Sequence, residues 1–257
     1  MLGAIAGDVI GSVHEFIGTK TKDFPLFDPK CFFTDDSVLT IALADALLHD
    51  LDYAVTLKEY YGRYPGAGYG TSFHVWATSD SFAPYNSWGN GSAMRVSPVA
   101  YVAKSLDEAL ELAERSAAVT HNHPEGIRGA QATAAAVFLA KTGHDKTEIK
   151  EFVESSCGYD LQRTLDEIRP TYSFDESCQR TVPQAIAAFL EATDFEDAIR
   201  NAISLGGDAD TLACITGSIA EAYFGGVPPD IRESVLLRLD DDLLAVVTEF
   251  EERVMNR

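Results

Sequence analysis

Stretch after stretch of this chain spaces its apolar residues at the period of a helix, and alternating strand patterns are hard to find. "SVLTIALADALLHD" (37–50), "SLDEALELAERSAAVT" (105–120) and "PEGIRGAQATAAAVFLAK" (124–141) show it first. "VPQAIAAFLEA" (182–192), "FEDAIRNAISL" (195–205), "DTLACITGSIAEAYFG" (210–225) and "IRESVLLRLDDDLLAVVTEFEERV" (231–254) continue it. Ser105 with Glu108 has the spacing of a capping box. Apolar residues make up 46% of the chain, enough for a substantial core. The expected fold is therefore all-α, a compact single-domain multi-helix bundle around buried central helices. At 257 residues the length alone allows one large domain or two small ones. No repeat, low-complexity tract or linker divides the chain, which favours one domain over 1–257. The longest stretch read as non-helical is 62–98, rich in Gly, Ser, Pro and aromatics. A loop region of that length inside a domain is usually functional.

Charge narrows the function. Asp and Glu number 40 against 20 Lys and Arg, a formal charge of −20. Such a chain repels nucleic acid and anionic membranes, so neither is an expected partner. An anionic ligand would need a local reversal of sign, from a metal or from a nest of backbone N–H groups. The four cysteines form no C-x-x-C pair and read as reduced, structural thiols of a cytoplasmic protein. The N-terminal "MLGAIAGDVIGSV" has no basic residue ahead of its apolar run and is interrupted by Asp8, so it fails as a signal peptide.

Two acidic clusters stand out. Thr34, Asp35 and Asp36 precede the apolar run 37–50, and Asp208, Asp210 and Thr211 stand in the same position before 212–225. Taken singly, each is accounted for by helix capping and by acids that complement a helix dipole. Taken together, each holds more acid than a cap needs, and both helices are apolar enough to open toward the domain centre. If the clusters meet, four carboxylates share one small volume. Two unit charges about 4 Å apart repel by about 4 kcal/mol at an effective dielectric near 20, which calls for protonation or a cation. Hard Asp and Thr oxygens select Mg²⁺, Mn²⁺ or Ca²⁺ over zinc, and two ions are plausible at this oxygen count. A third acidic site is "AGDVIGSVHEF": read as a helix, Asp8, Gly11 and Glu15 share one face.

Five motifs, "GDVIGSVHE", "TDDSVLTIALADAL", "GNGSAMRVSPVA", "THNHPEGIRGAQA" and "SLGGDADTLACITGSIAEAY", occur in this order over residues 1–226. Together they resemble the ADP-ribosylhydrolases of the dinitrogenase-reductase-activating glycohydrolase type. The resemblance implies that family's compact all-α fold. It implies two Mg²⁺ or Mn²⁺ ions held by Thr34, Asp35, Asp36, Asp208, Asp210 and Thr211. It implies a movable or catalytic carboxylate at Glu15, with the acid/base role falling to Glu15 or Asp36. Gly89, Asn90, Gly91 and Ser92 would wrap a diphosphate through backbone N–H groups, with His121 near the same pocket. The implied reaction is hydrolysis of the C1″ bond of an ADP-ribose conjugate, on a protein side chain or on a small molecule such as O-acetyl-ADP-ribose. The alternative is a non-catalytic ADP-ribose-binding protein on the same scaffold; a third reading, a two-metal phosphohydrolase, fits less well because histidines are few. A monomer is expected.

Around that core, His123 reads as a backbone partner beside Pro124. The aromatics Tyr69, Phe73, Trp76, Tyr85 and Trp88 read either as a satellite core or as an adenine platform, for which Tyr69 and Tyr85 are the candidates. Arg95 is expected to pair with a buried carboxylate, with phosphate binding as the less favoured alternative, and Asp240–Asp242 to lie on a solvated helix face. The segment 155–180 carries no readable chemistry; it would shape the leaving-group side of the pocket.

Overall fold

Residues 209–224 are apolar on every side, which suits a helix surrounded by protein rather than one lying on a surface. In the computed structural model, which describes residues 1–255, that helix is the centre, buried from Ala209 to Glu221. In chain order the helices are α1 (Leu2–Gly11), α2 (Asp35–His49), α3 (Tyr53–Arg63), α4 (Thr71–Thr78), α5 (Gly91–Met94), α6 (Ser97–Val102), α7 (Leu106–Ala118) and α8 (Pro124–Lys141). They continue with α9 (Lys146–Phe152), α10 (Leu165–Ile168), α11 (Cys178–Glu191), α12 (Phe195–Ile203), α13 (Ala209–Phe224), α14 (Pro229–Leu236) and α15 (Asp241–Phe250). Among the described residues there is no sheet, only an isolated bridge between Gly89 and Ser177. None of the helices is long and apolar enough to cross a membrane. The all-α expectation holds. Helices α1, α2, α8, α11 and α12 all pack on α13.

The closest of these packings is set by glycine. Gly3, Gly7 and Gly11 recur every fourth residue and so form one stripe along α1. A Cβ on Gly3 would overlap the carbonyl of Gly217; on Gly7, the carbonyl of Ala213; on Gly11, the Cα of Asp210. As the α1 number rises the α13 number falls, so the two helices run antiparallel with their backbones in contact. This brings the end of α1 against the start of α13.

The structure departs from the expected elements in three places, each for a local reason. The helix expected to carry both Asp8 and Glu15 stops at Gly11. The Ser12 hydroxyl donates to the Val9 carbonyl, and the chain continues in turns through Gly18. The 62–98 region is not purely loop: it holds the short helices α4, α5 and α6. The expected helix 231–254 is two. Asp240 accepts from the Leu243 N–H and starts α15, while Tyr64, just past α3, bonds Asp240 and Arg63 of α3 pairs with Asp242. All three acids are exposed, as expected of a solvated helix face; in addition Asp240 caps α15 and Asp242 pairs with Arg63. At 105–108 half of the capping box forms: Ser105 accepts from the Glu108 N–H, but Glu108 reaches back to the N–H of Lys104.

Candidate active site

At the start of α2 the capping reading is right for Thr34, whose hydroxyl oxygen accepts from the Asp36 N–H at 3.3 Å. Its single hydroxyl proton goes to Asp8 Oδ1, 2.6 Å away. The buried Asp8 carboxylate also accepts from the Thr34 N–H (2.9 Å), the Ser37 N–H (3.1 Å) and the Ser37 hydroxyl. Asp8 thus ties α1 to the mouth of α2. Burial nevertheless raises its pKa to about 6, against the pull of these hydrogen bonds. Asp36 is treated differently. Its Oδ2 accepts from the Thr211 hydroxyl at 3.2 Å, while its Oδ1 is buried with no partner among the described residues.

At the start of α13, Gly206 (φ 70°) and Gly207 (φ 84°) are both left-handed, and this turn aims Asp208 inward. Asp208 occupies the N-cap position but its side chain does not cap. Its Oδ2 accepts from Asn90 Nδ2 at 2.6 Å. Asp210 Oδ1 accepts from the Thr211 N–H at 2.9 Å.

The two helix mouths meet. Single oxygens of Asp8, Asp36 and Asp210 lie within 4.8 Å of one another, and so do single oxygens of Glu15, Asp208 and Asp210. Asp210 belongs to both groups. Glu15 joins from the turns beyond α1, although it is not on the helical face expected for it. Asp35 lies outside both groups, half-buried, with its N–H bonded to the Ala67 carbonyl. Burial, reinforced by the neighbouring carboxylates, raises the pKa values of Asp35, Asp36 and Asp210 well above the carboxylate range. The same causes bring Glu15, which is half-buried, to about 7. An all-oxygen donor set, mutual repulsion and an orphaned buried oxygen on Asp36 fit a hard divalent cation. The role of Asp8 is the residue-level point missed by sequence reasoning, which paired it only with Glu15. Its signal was an acid flanked on both sides by apolar residues.

The 89–92 stretch lies on one rim. The Gly89 N–H is taken by the Ser87 hydroxyl and the Asn90 N–H by the Glu176 carbonyl, which leaves those of Gly91 and Ser92. The Ser92 hydroxyl turns away, to the Gly126 carbonyl. The Asn90 side chain bonds Thr181 as well as Asp208, so it fixes the acid from outside the cluster. Removing an outer group of this kind from a metal site costs about 10–100-fold. Asn90→Ala is accordingly expected to raise the divalent-ion concentration that gives half-maximal activity by about 10–100-fold. An activation curve on the metal-stripped protein measures it; an unshifted curve contradicts it.

His121 is buried beside Gly89 and Gly91, with Nδ1 2.7 Å from the Thr120 hydroxyl. His123 caps α8, its Nδ1 accepting from the Glu125 N–H. Tyr85 lies between Trp76 and His121. Tyr69 stacks on Phe73 with centroids 5.3 Å apart, so one of its faces is already covered within a satellite aromatic cluster. Arg95 corrects an expectation: among the described residues it pairs with no carboxylate, and its bonds go to neutral oxygens. On the Glu15 side, a cavity of about 370 Å³ is lined by Glu15, Phe16, Ile17, Tyr172, Phe174 and Gly207. Tyr172 and Phe174 come from the 155–180 segment.

The ADP-ribosylglycohydrolase family model matches residues 1–256, and the chain belongs to that family. The chain is 29% identical to the human protein "ADP-ribosylhydrolase ARH3", over 95% of this chain and 90% of that one. It is 28% identical to "ADP-ribosylarginine hydrolase Tri1" of Pseudomonas putida, over 91% and 72%. A solved structure titled "ADP-ribosylglycohydrolase-related protein complex" shares the fold, with a TM-score of 0.76 at 24% identity over 98% of this chain and 95% of that one.

Proposed function

We propose that this glycohydrolase is a divalent-metal-dependent ADP-ribosylhydrolase that cleaves the C1″ bond of ADP-ribose conjugates and releases ADP-ribose. The observation that carries the reading is the pair of carboxylate groups sharing Asp210. Asp36, Asp208 and Asp210, with the hydroxyl oxygens of Thr34 and Thr211, would hold two Mg²⁺ or Mn²⁺ ions; Asp8 holds Thr34 in place. When bound, the ions would polarise a water and the hydroxyls of the distal ribose. The remaining work falls to the chain. The Gly91 N–H would face the diphosphate, which suits an anion in a protein this acidic. Glu15, between the carboxylate cluster and the 370 Å³ cavity, is placed to give a proton to the leaving group and take one from water. The cavity takes the departing group, with Tyr172 and Phe174 as its far wall.

The test is direct. Metal-loaded protein is incubated with ADP-ribosylarginine, ADP-ribosylserine and O-acetyl-ADP-ribose, then the series is repeated with chelator. Release of ADP-ribose that chelator abolishes supports the proposal. Release of AMP would mark a phosphohydrolase, and binding without turnover of any conjugate would mark a passive binder.

A further inference from the structure

Glu15 stands in a short surface loop that closes on itself. His14 Nδ1 lies 2.8 Å from the Thr19 hydroxyl, and the Ile17 N–H donates to the His14 carbonyl at 3.1 Å. Gly18 makes the return at φ 70°, with open space where a Cβ would stand. Residues 14–19 therefore move as a unit, and Glu15 moves with them. The rest of the fold grips this unit at few points. Phe16 meets the Phe174 ring but is 84% exposed, so that contact buries little apolar area.

Among the described residues, the hydrogen bonds that leave residues 15–20 for the rest of the molecule both come from Lys20 Nζ. One goes to the Tyr172 carbonyl at 2.6 Å, the other to the Leu205 carbonyl. Both acceptors are fixed by other means. Leu205 is fully buried and directly precedes the Gly206–Gly207 turn that aims Asp208, whose carboxylate Asn90 holds as well. It lies two residues beyond α12, at the negative end of that helix dipole, where a cation is favoured. Tyr172 is buried and walls the cavity that Glu15 also lines. The end of the Lys20 side chain rests on Gly206, where a Cβ would meet Cε at 3.1 Å and Nζ at 3.0 Å.

We infer that Lys20 is a positioning residue for the hydrolysis: it latches the Glu15 loop to the Asp208 turn and to the cavity wall, and so sets the Glu15 carboxylate against the reacting bond. Its ammonium is taken up by the two carbonyls, so it acts through Glu15 rather than on the substrate. The inference rests on the acid/base role given to Glu15 above.

The test compares wild type with Lys20→Met, which keeps the length of the side chain and removes its donors. Metal-loaded protein is assayed on ADP-ribosylarginine, ADP-ribosylserine and O-acetyl-ADP-ribose. Amide hydrogen exchange is followed at Ile17 and, as a control, at Leu212, whose N–H bonds the Asp208 carbonyl. In the variant kcat is expected to fall about 10–100-fold, the scale of a reacting group misplaced by about 1 Å, with KM within about twofold. Exchange at Ile17 is expected to quicken about tenfold, while exchange at Leu212 stays as it was. Lys20 is exposed, so the variant should keep the fold; Lys20→Gln, too short to reach both carbonyls, stands in for it otherwise. A folded variant with kcat within about twofold of wild type overturns the inference. So does a KM that rises in step with the fall in kcat, and so does unchanged exchange at Ile17. A wild type that releases ADP-ribose from none of the three conjugates would instead overturn the functional reading, and the Ile17 comparison still decides whether Lys20 holds the loop.

Discussion

Asp210→Ala is expected to lower ADP-ribose release by about 10³-fold or more while leaving the helical fold in place. Outer-shell losses at metal sites already cost about 10–100-fold, and Asp210 is the one carboxylate common to both oxygen groups. Its removal breaks both at once. Stability should not fall with it. Asp210 is buried against Asp208 and Asp36, and each of these neighbours disfavours its charge. Deleting one of several like charges relieves repulsion, so the chelator-treated variant keeps its Tm and its helical circular dichroism. What is expected to disappear is the rise in Tm that the proposed binding of Mg²⁺ or Mn²⁺ to the folded state would give the wild type. Activity within about tenfold of wild type, or a metal-dependent Tm rise that survives the substitution, would count against the role given to Asp210.

Gly7→Ala is expected to have the largest effect on stability, a loss of about 3 kcal/mol or more. The added Cβ meets the Ala213 carbonyl and the Cys214 N–H of the central helix. These are backbone atoms of a fully buried element, with no side chain free to swing aside. The two helices must separate, and every contact along the Gly3–Gly7–Gly11 stripe loosens with them. At this chain length the loss corresponds to a fall in Tm of roughly 6–12 °C. Gly62→Ala is the control. It lies within α3 with nothing within 4 Å of the added Cβ, so alanine there should stabilise by about 0.5–1 kcal/mol. Thermal melts of the two variants side by side check both signs; a Gly7→Ala protein as stable as wild type would mean that α1 and α13 do not touch backbone to backbone.

Much of this site is readable from residue order alone because its parts are local excesses. Thr34-Asp35-Asp36 and Asp208-x-Asp210-Thr211 each carry more acid than a cap uses, ahead of runs too apolar to face water. That places two acidic helix mouths at the domain centre, where Asp36 and Thr211 do meet. What stays hidden is of another kind. The Asn90–Asp208 bond joins residues 118 apart, and no periodicity announces its partner. Asp8 reads as one more acid until the Thr34 and Ser37 donors are seen around it. The glycine stripe carries no hydrophobic signal, since a residue without a side chain is silent in any apolar count, yet it sets the closest helix contact in the fold. Short helices such as α4, among Gly, Ser and aromatic residues, lack the length over which a 3.6-residue period can be recognised.

The central claim is that the mouths of α2 and α13 together hold divalent ions. Anomalous diffraction from crystals grown with Mn²⁺ tests it most directly. Two peaks about 3.5–4 Å apart, on either side of the Asp210 carboxylate and bounded by Asp36 and Asp208, are the predicted result. Manganese bound elsewhere or nowhere, in a protein that goes on releasing ADP-ribose undiminished in chelator, would contradict it.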